Sequence, residues 1–254
     1  MVLSQPVLEN VSSVLNIKIP IEFQQYLISF LGYNHPGNQD KIYHNLAHSF
    51  EVSALVSVIL DSCQILDEWK AISVVAGLLH DLDPERQPHT PPMVERTIQY
   101  LENNPDAQAI IDYLCEVFGF TPKQIHTLIL ATDYSPNPEE RDNKWIKFCN
   151  ECEIYFEREE LGTVIFLGQI LAYADKASTY ILSADIVVTR VRGLAFELRT
   201  LNNSPFPTDE DIFRGTASFL KSELIKNKIF QFLPLEYSRK LVETREFFAE
   251  AEFV

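Results

Sequence analysis

Glycine is scarce in this 254-residue chain: 8 residues, or about 3%, against a usual share of about 7%. Asn-Gly and Asp-Gly pairs are also few. Both facts argue against a hairpin-rich β protein, whose tight turns need residues that tolerate positive φ. Cysteine is nearly as rare, and 4 in 254 residues do not make a disulfide framework. Cations are outnumbered by 36 acidic residues to 21 basic ones, a formal net charge of −15. Such a chain has no electrostatic reason to hold a nucleic acid polymer or an anionic bilayer. Long apolar runs are missing too. The longest charge-free stretches are 161–174 and 23–39; the first is too short to span a bilayer, and Gln, Asn, His and Pro break the second. The start, MVLSQPVLEN, has no basic region, and the first cation is Lys18, so no secretory signal is expected. These observations predict a cytoplasmic protein.

What is present is an ordinary globular composition, 46% hydrophobic and 22% charged. The length suits one large domain with elaborations. Helical periodicity recurs throughout. Val52, Leu55, Val56, Ile59 and Leu60 follow the spacing of one helix face, as do Ile125, Leu128, Ile129 and Thr132. Trp145, Phe148, Cys149, Cys152, Tyr155 and Phe156 form a third stripe. Thr208, followed by Asp209 and Glu210, predicts a helix N-cap with an acidic first turn. No segment alternates with period two. Proline-rich breaks at 84–92, 134–138 and 202–207 separate the helices without forming domain linkers. The expectation is an all-α, single compact bundle of about ten helices. A helical arm is expected over residues 1–41, a core over 42–200, and C-terminal helices packed on the core over 201–254.

Three places put ionisable groups where apolar ones belong. Extending the stripe back from Val52 by four and by eight residues reaches His48 and His44, which predicts two histidines on one helix face. His80-Asp81 ends the apolar run Ala71 to Leu79, and Asp175 ends the charge-free run 161–174. Each alone has a structural reading: hydrogen-bonded core histidines, a helix ending at the surface, an ion pair with Lys176. Together, two histidines and two aspartates make a borderline N/O ligand set that suits iron, manganese, zinc or nickel. A carboxylate at such a helix end must be paired, hydrogen-bonded or metal-bound.

The order His48, His80-Asp81, Asp175 resembles the H…HD…D motif of the HD-domain metal-dependent phosphohydrolases. Within that superfamily, YHNLAH at 43–48 is similar to the Y-H-N-x-x-H signature of class I cyclic nucleotide phosphodiesterases. HDLD, LILATDY and AYAD resemble their H-D-x-D, A-T-D-M and C-A-D segments, in the same order over 43–175. The resemblance implies an all-helical fold and a metal-dependent phosphodiester hydrolase. It implies that His48, His80, Asp81 and Asp175 ligate a first divalent metal ion (iron, manganese, zinc, nickel or magnesium). It also implies that Asp81 bridges to a second ion and that His44 is the general acid. Catalytic roles thus fall to His44 and Asp81, and Thr132, Asp133 and Glu95 are expected to stand behind the ligands and orient them. On a helix, Glu95 is better read as a surface residue beside Arg96.

The chain departs from the phosphodiesterases in two places. Asp83 is followed by Pro84, Glu85 and Arg86, not His-Pro-Gly, and no C-terminal F-x-x-Q-G-D-x-E element is present; 212–224 is a remote echo. The expected substrate is therefore a small phosphorylated, nucleotide-like ester, and specificity for cyclic mononucleotides does not carry over. Arg190, Arg192 and Arg199 are candidates to meet its phosphate or to form an ion-paired face. A different reading, a di-iron oxygenase, needs two further histidines between Asp81 and Asp175; only His89, in a proline-rich loop, and His126 lie there, which counts against it. A non-catalytic sensor that kept the fold is the third reading. Cys149 and Cys152, a single C-x-x-C, are read as buried thiols and not as a zinc site.

Overall fold

The computed structural model describes residues 20–34, 43–84, 86, 93–133, 158–202 and 205–251. Among these the protein is all-α, with ten α-helices and no strand. They are α1 (Ile21–Asn34), α2 (Leu46–Ser62), α3 (Asp67–Leu79), α4 (Val94–Asn103) and α5 (Pro105–Phe118). Then follow α6 (Pro122–Leu130), α7 (Arg158–Ala177), α8 (Ala184–Asn202), α9 (Asp209–Phe219) and α10 (Leu235–Glu250). A 3₁₀ turn, Ser178–Ile181, follows α7, and π-helical and 3₁₀ turns at Leu220–Ile225 and Lys228–Phe232 join α9 to α10. No helix among the described residues is long and apolar enough to cross a membrane. The helix expected around Trp145, with Cys149 and Cys152, lies outside the described residues, as does His89.

The helix ends are written in local chemistry. Asn45 caps α2 by accepting a hydrogen bond from His48 N at 3.2 Å. Asn104 caps α5 in the same way for Ala107 N, with Pro105 in the first turn. Gly119 ends α5 in the left-handed region, φ 78°, where a Cβ would be strained, and its N–H returns to Cys115 O. Thr208 caps α9 as its sequence predicts, accepting from Asp211 N at 3.1 Å.

The core is built on α2 and α3, which pack along each other and are both backed by α7. The stripe Val52, Leu55, Val56, Ile59 and Leu60 is wholly buried, and so is the α3 run Ala71 to Leu79. Gly77 permits the close approach of these two helices: a Cβ there would lie 2.8 Å from Ser53 Oγ and 3.3 Å from Ser53 Cα. Ser53 Oγ donates to Ser49 O on its own helix and to Val74 O across the gap, at 2.9 and 3.0 Å. Helix α6 packs on α3 and α7. Helix α1 sits on α4 and α5 through the Phe23–Tyr113 ring stack and an Asn34–Tyr100 hydrogen bond. Helix α10 reaches back to the 3₁₀ turn after α7, where Thr244 Oγ1 donates to Tyr180 O at 2.9 Å. The start of α2 and the ends of α3 and α7 thus meet at one end of the core.

Candidate metal centre

His48, His80 and Asp175 meet at that end. His48 is in the first turn of α2, His80 follows the last residue of α3, and Asp175 lies two residues before the end of α7. Their ligand atoms all lie within 4.8 Å of one another. His48 Nε2 is 3.0 Å and His80 Nε2 3.4 Å from Asp175 Oδ1. An ion about 2.1 Å from each ligand atom would hold them roughly 3.0–3.4 Å apart, so the spacing fits a first-row divalent cation. The two histidine side chains are 0% and 1% exposed, and Asp175 is 20% exposed, so solvent enters from the Asp175 side.

The hydrogen bonding of His80 points the same way. Its Nδ1 lies 2.7 Å from Gly77 O and must donate, because a carbonyl only accepts. That leaves Nε2 turned into the cluster, buried and with no hydrogen-bond partner. A ring anchored at one nitrogen by a backbone carbonyl, with the other nitrogen free, is the usual posture of a histidine ligand. Asp81 stands beside it: Oδ1 is 3.4 Å from His80 Nε2, and Oδ2 is 3.8 Å from His48 Nε2, buried and without a hydrogen bond.

The electrostatics express the same crowding. Burial favours the uncharged form of every member. For His48 it prevails, and the pKa falls. For His80 the carboxylates of Asp81 and Asp175 overcome burial and raise it to about 9. The histidines in turn hold Asp81 and Asp175 below the usual carboxylate range despite burial. Tyr43, buried against Tyr180 and Asp175, is kept protonated well above pH 10, chiefly by burial.

His44 is not on the face of α2. The helix begins at Leu46, because the Asn45 side chain binds a backbone N–H that a longer helix would pair with a carbonyl. The His44 ring nevertheless stays near, its centroid 5.9 Å from that of His48. Its Nδ1 pairs with Glu197 Oε2 at 2.5 Å, and Glu197 Oε1 accepts from Tyr43 N at 3.4 Å. Arg86 donates to the His44 carbonyl. Arg190 donates to Tyr43 O at 2.9 Å and pairs with Glu51 at 3.0 Å. Residues 43–45 are therefore clamped by two arginines and a glutamate.

Glu197 and Arg86 carry no motif, and sequence reasoning missed both. The available signal for Glu197 was the α8 stripe Val187, Arg190 or Val191, Leu194 and Glu197, which puts a carboxylate on an apolar face. The other expected residues sort as follows. Thr132 is buried in the turn after α6, its hydroxyl donating to Ile129 O at 2.8 Å, and Asp133 follows it half-buried. Glu95 is exposed on α4, so it does not support the cluster, and its neighbour Arg96 binds Asp83 instead. His126 stands 3.4 Å from Glu102 and not in the cluster. Arg190 is committed to Glu51 and Tyr43, Arg192 pairs with Asp209 on the surface, and Arg199 lies over the Phe206 ring.

No protein-family model matches the chain, and no curated protein matches it either.

Proposed function

We propose that the protein is a metal-dependent phosphohydrolase of the HD-domain type, phosphodiesterase-like, acting on a small nucleotide-like phosphate ester. The observation that carries this reading is the convergence of His48 Nε2, His80 Nε2 and Asp175 Oδ1, with a separately held histidine, His44, one ring away. His48, His80, Asp175 and the adjacent Asp81 would hold a divalent cation. Such an ion supplies Lewis acidity and ionises a water near neutral pH.

The chain supplies the rest. Glu197 accepts from Nδ1 of His44, fixes the ring, and leaves Nε2 to carry the proton a leaving alkoxide needs. Asn45 and Arg86 hold the segment on either side of this proton. His44 is 13% exposed, enough for the ring edge to reach an ester entering beside Asp175.

The test is a metal analysis of purified protein combined with a screen of cyclic mononucleotides, cyclic dinucleotides, nucleotides and artificial phosphodiesters. Stoichiometric metal with turnover of a phosphate ester is expected, with cyclic AMP and cyclic GMP among the poor substrates. A protein that binds no divalent ion, or that binds metal yet hydrolyses no ester in the panel, sinks the reading.

A further inference from the structure

His44 stands at the centre of a three-residue turn, which Asn45 N closes by donating to Tyr43 O at 2.9 Å. A turn of this kind has one hydrogen bond of its own. It cannot by itself fix the direction of the side chain at its centre. That direction is set by whatever holds the backbone on either side. Tyr43 O accepts a second hydrogen bond, from Arg190 Nη1 at 2.9 Å. Nη2 of the same guanidinium donates to Glu51 Oε1 at 3.0 Å. One planar fork thus joins the His44 turn to a side chain of α2.

Arg190 and Glu197 lie two turns apart on α8 and share a face. Helix α8 therefore offers a cation to the Tyr43 carbonyl, and an anion to the Tyr43 N–H and the His44 ring. It contributes no member of the His48, His80 and Asp175 group. Helix α8 packs mainly on α9 and on the turn Ser178–Ile181, and the Arg190–Glu51 pair ties it to α2. Both side chains of the pair are largely buried, and Glu51 Oε2 has no hydrogen-bond partner. Burial pushes the Glu51 carboxyl up to about 7 even beside the guanidinium. A buried pair kept at that electrostatic cost is weak evidence for stability, and holding a group in place is the better-attested use. We propose that Arg190, locked by Glu51, is a positioning residue for the proton donor: the ion pair between α2 and α8 sets the turn that aims His44, and does so without bearing on the metal. The inference rests on the function proposed above, because the aimed proton has a use only in ester hydrolysis.

The test compares the full-length wild type with Glu51→Met/Arg190→Met, which removes both charges at similar volume and leaves neither buried alone. Isotope labelling of histidine reads the rings directly by nuclear magnetic resonance, with His44→Gln to assign the His44 signals. In a double variant with wild-type circular dichroism, the His44 ring signals should shift or broaden. Those of His48 and His80 should stay, as should the manganese bound per chain. On an unactivated phosphodiester, kcat should fall about tenfold or more with KM little changed, because a misaimed donor costs rate and not binding. On a nitrophenyl ester, which needs no proton, the loss should be far smaller. Unmoved His44 signals, equal losses on both esters, or a loss of metal overturns the inference. If the double variant does not fold, Arg190→Lys, which keeps the charge but not the fork, carries the same comparison. A wild type that hydrolyses neither ester defeats the proposed function instead, and the His44 signals still decide whether Arg190 holds the ring.

Discussion

Gly77→Ala should both destabilise the protein and loosen the candidate metal centre. The added Cβ would meet Ser53 Oγ at 2.8 Å, Ser53 Cα at 3.3 Å and Ser53 N at 3.4 Å. The hydroxyl can rotate away, giving up its bond to Val74 O, a loss of about 0.5–1.5 kcal/mol. The backbone contact cannot be relieved that way, so α2 and α3 must part by a few tenths of an ångström. Overpacking of this kind costs about 1–3 kcal/mol. Alanine regains about 0.8–1.0 kcal/mol of helix propensity over glycine. The balance is a loss of about 1–3 kcal/mol, read as a lower urea midpoint at unchanged m. The same separation moves His80, whose ring hangs on the Gly77 carbonyl, away from His48 on α2. Affinity for Mn²⁺ should fall about tenfold, since small misplacements in a rigid constellation are costly. A Ser53→Ala/Gly77→Ala pair should lose less than the sum of its singles, because the hydroxyl bond is already broken in Gly77→Ala. A Gly77→Ala protein with wild-type stability and wild-type metal affinity would refute the argument that this glycine sets the spacing of the two histidines.

Further outcomes follow from the same geometry. His44→Ala should lose about 10²–10⁴-fold in kcat on an unactivated phosphodiester, far less on a nitrophenyl ester that needs no proton, and should retain metal; an equal loss on both substrates makes His44 a ligand or a structural residue. Asp175→Ala and His80→Ala should bind metal substoichiometrically, and full occupancy in either removes that residue from the ligand set. Metal binding at pH 7 should release a proton, because the carboxylates of Asp81 and Asp175 outweigh burial and hold His80 protonated to about pH 9, and the ion must displace that proton. Calorimetry in buffers of different ionisation enthalpy measures this, and a buffer-independent heat contradicts it. For the metal-free protein the sign is fixed by the raised value. The stabilisation from His80 is complete below the unfolded pKa of about 6.5 and is lost as pH rises to about 9, so urea midpoints should drop across that window.

How far the site was legible depends on what each residue interrupts. His48, His80 and Asp175 stood out because each breaks an apolar stretch, and a break in a buried face is visible without knowing what packs against it. The all-α bundle followed from the helical spacing of apolar residues, and α2 and α3 are buried over most of their length. His44 was misplaced because the stripe was extended one turn too far. Periodicity cannot register the competition that Asn45 wins, in which a side-chain oxygen takes a backbone N–H and ends the helix before His44. Glu197 and Arg86 were missed for a different reason. Both lie in charged segments, where another acid or base predicts a solvated face, and their burial exists only once α8 and Arg86 meet residues 43–45. The distinction separates two kinds of residue in the centre. The candidate ligands His48, His80 and Asp175 are fixed by three helices whose apolar residues dictate their packing, so their convergence follows from the hydrophobic pattern. His44, released from the helix by Asn45, is aimed only by ionic partners from distant parts of the chain. Its placement therefore costs buried charge, which a fold retains more readily where the aimed group has chemistry to perform.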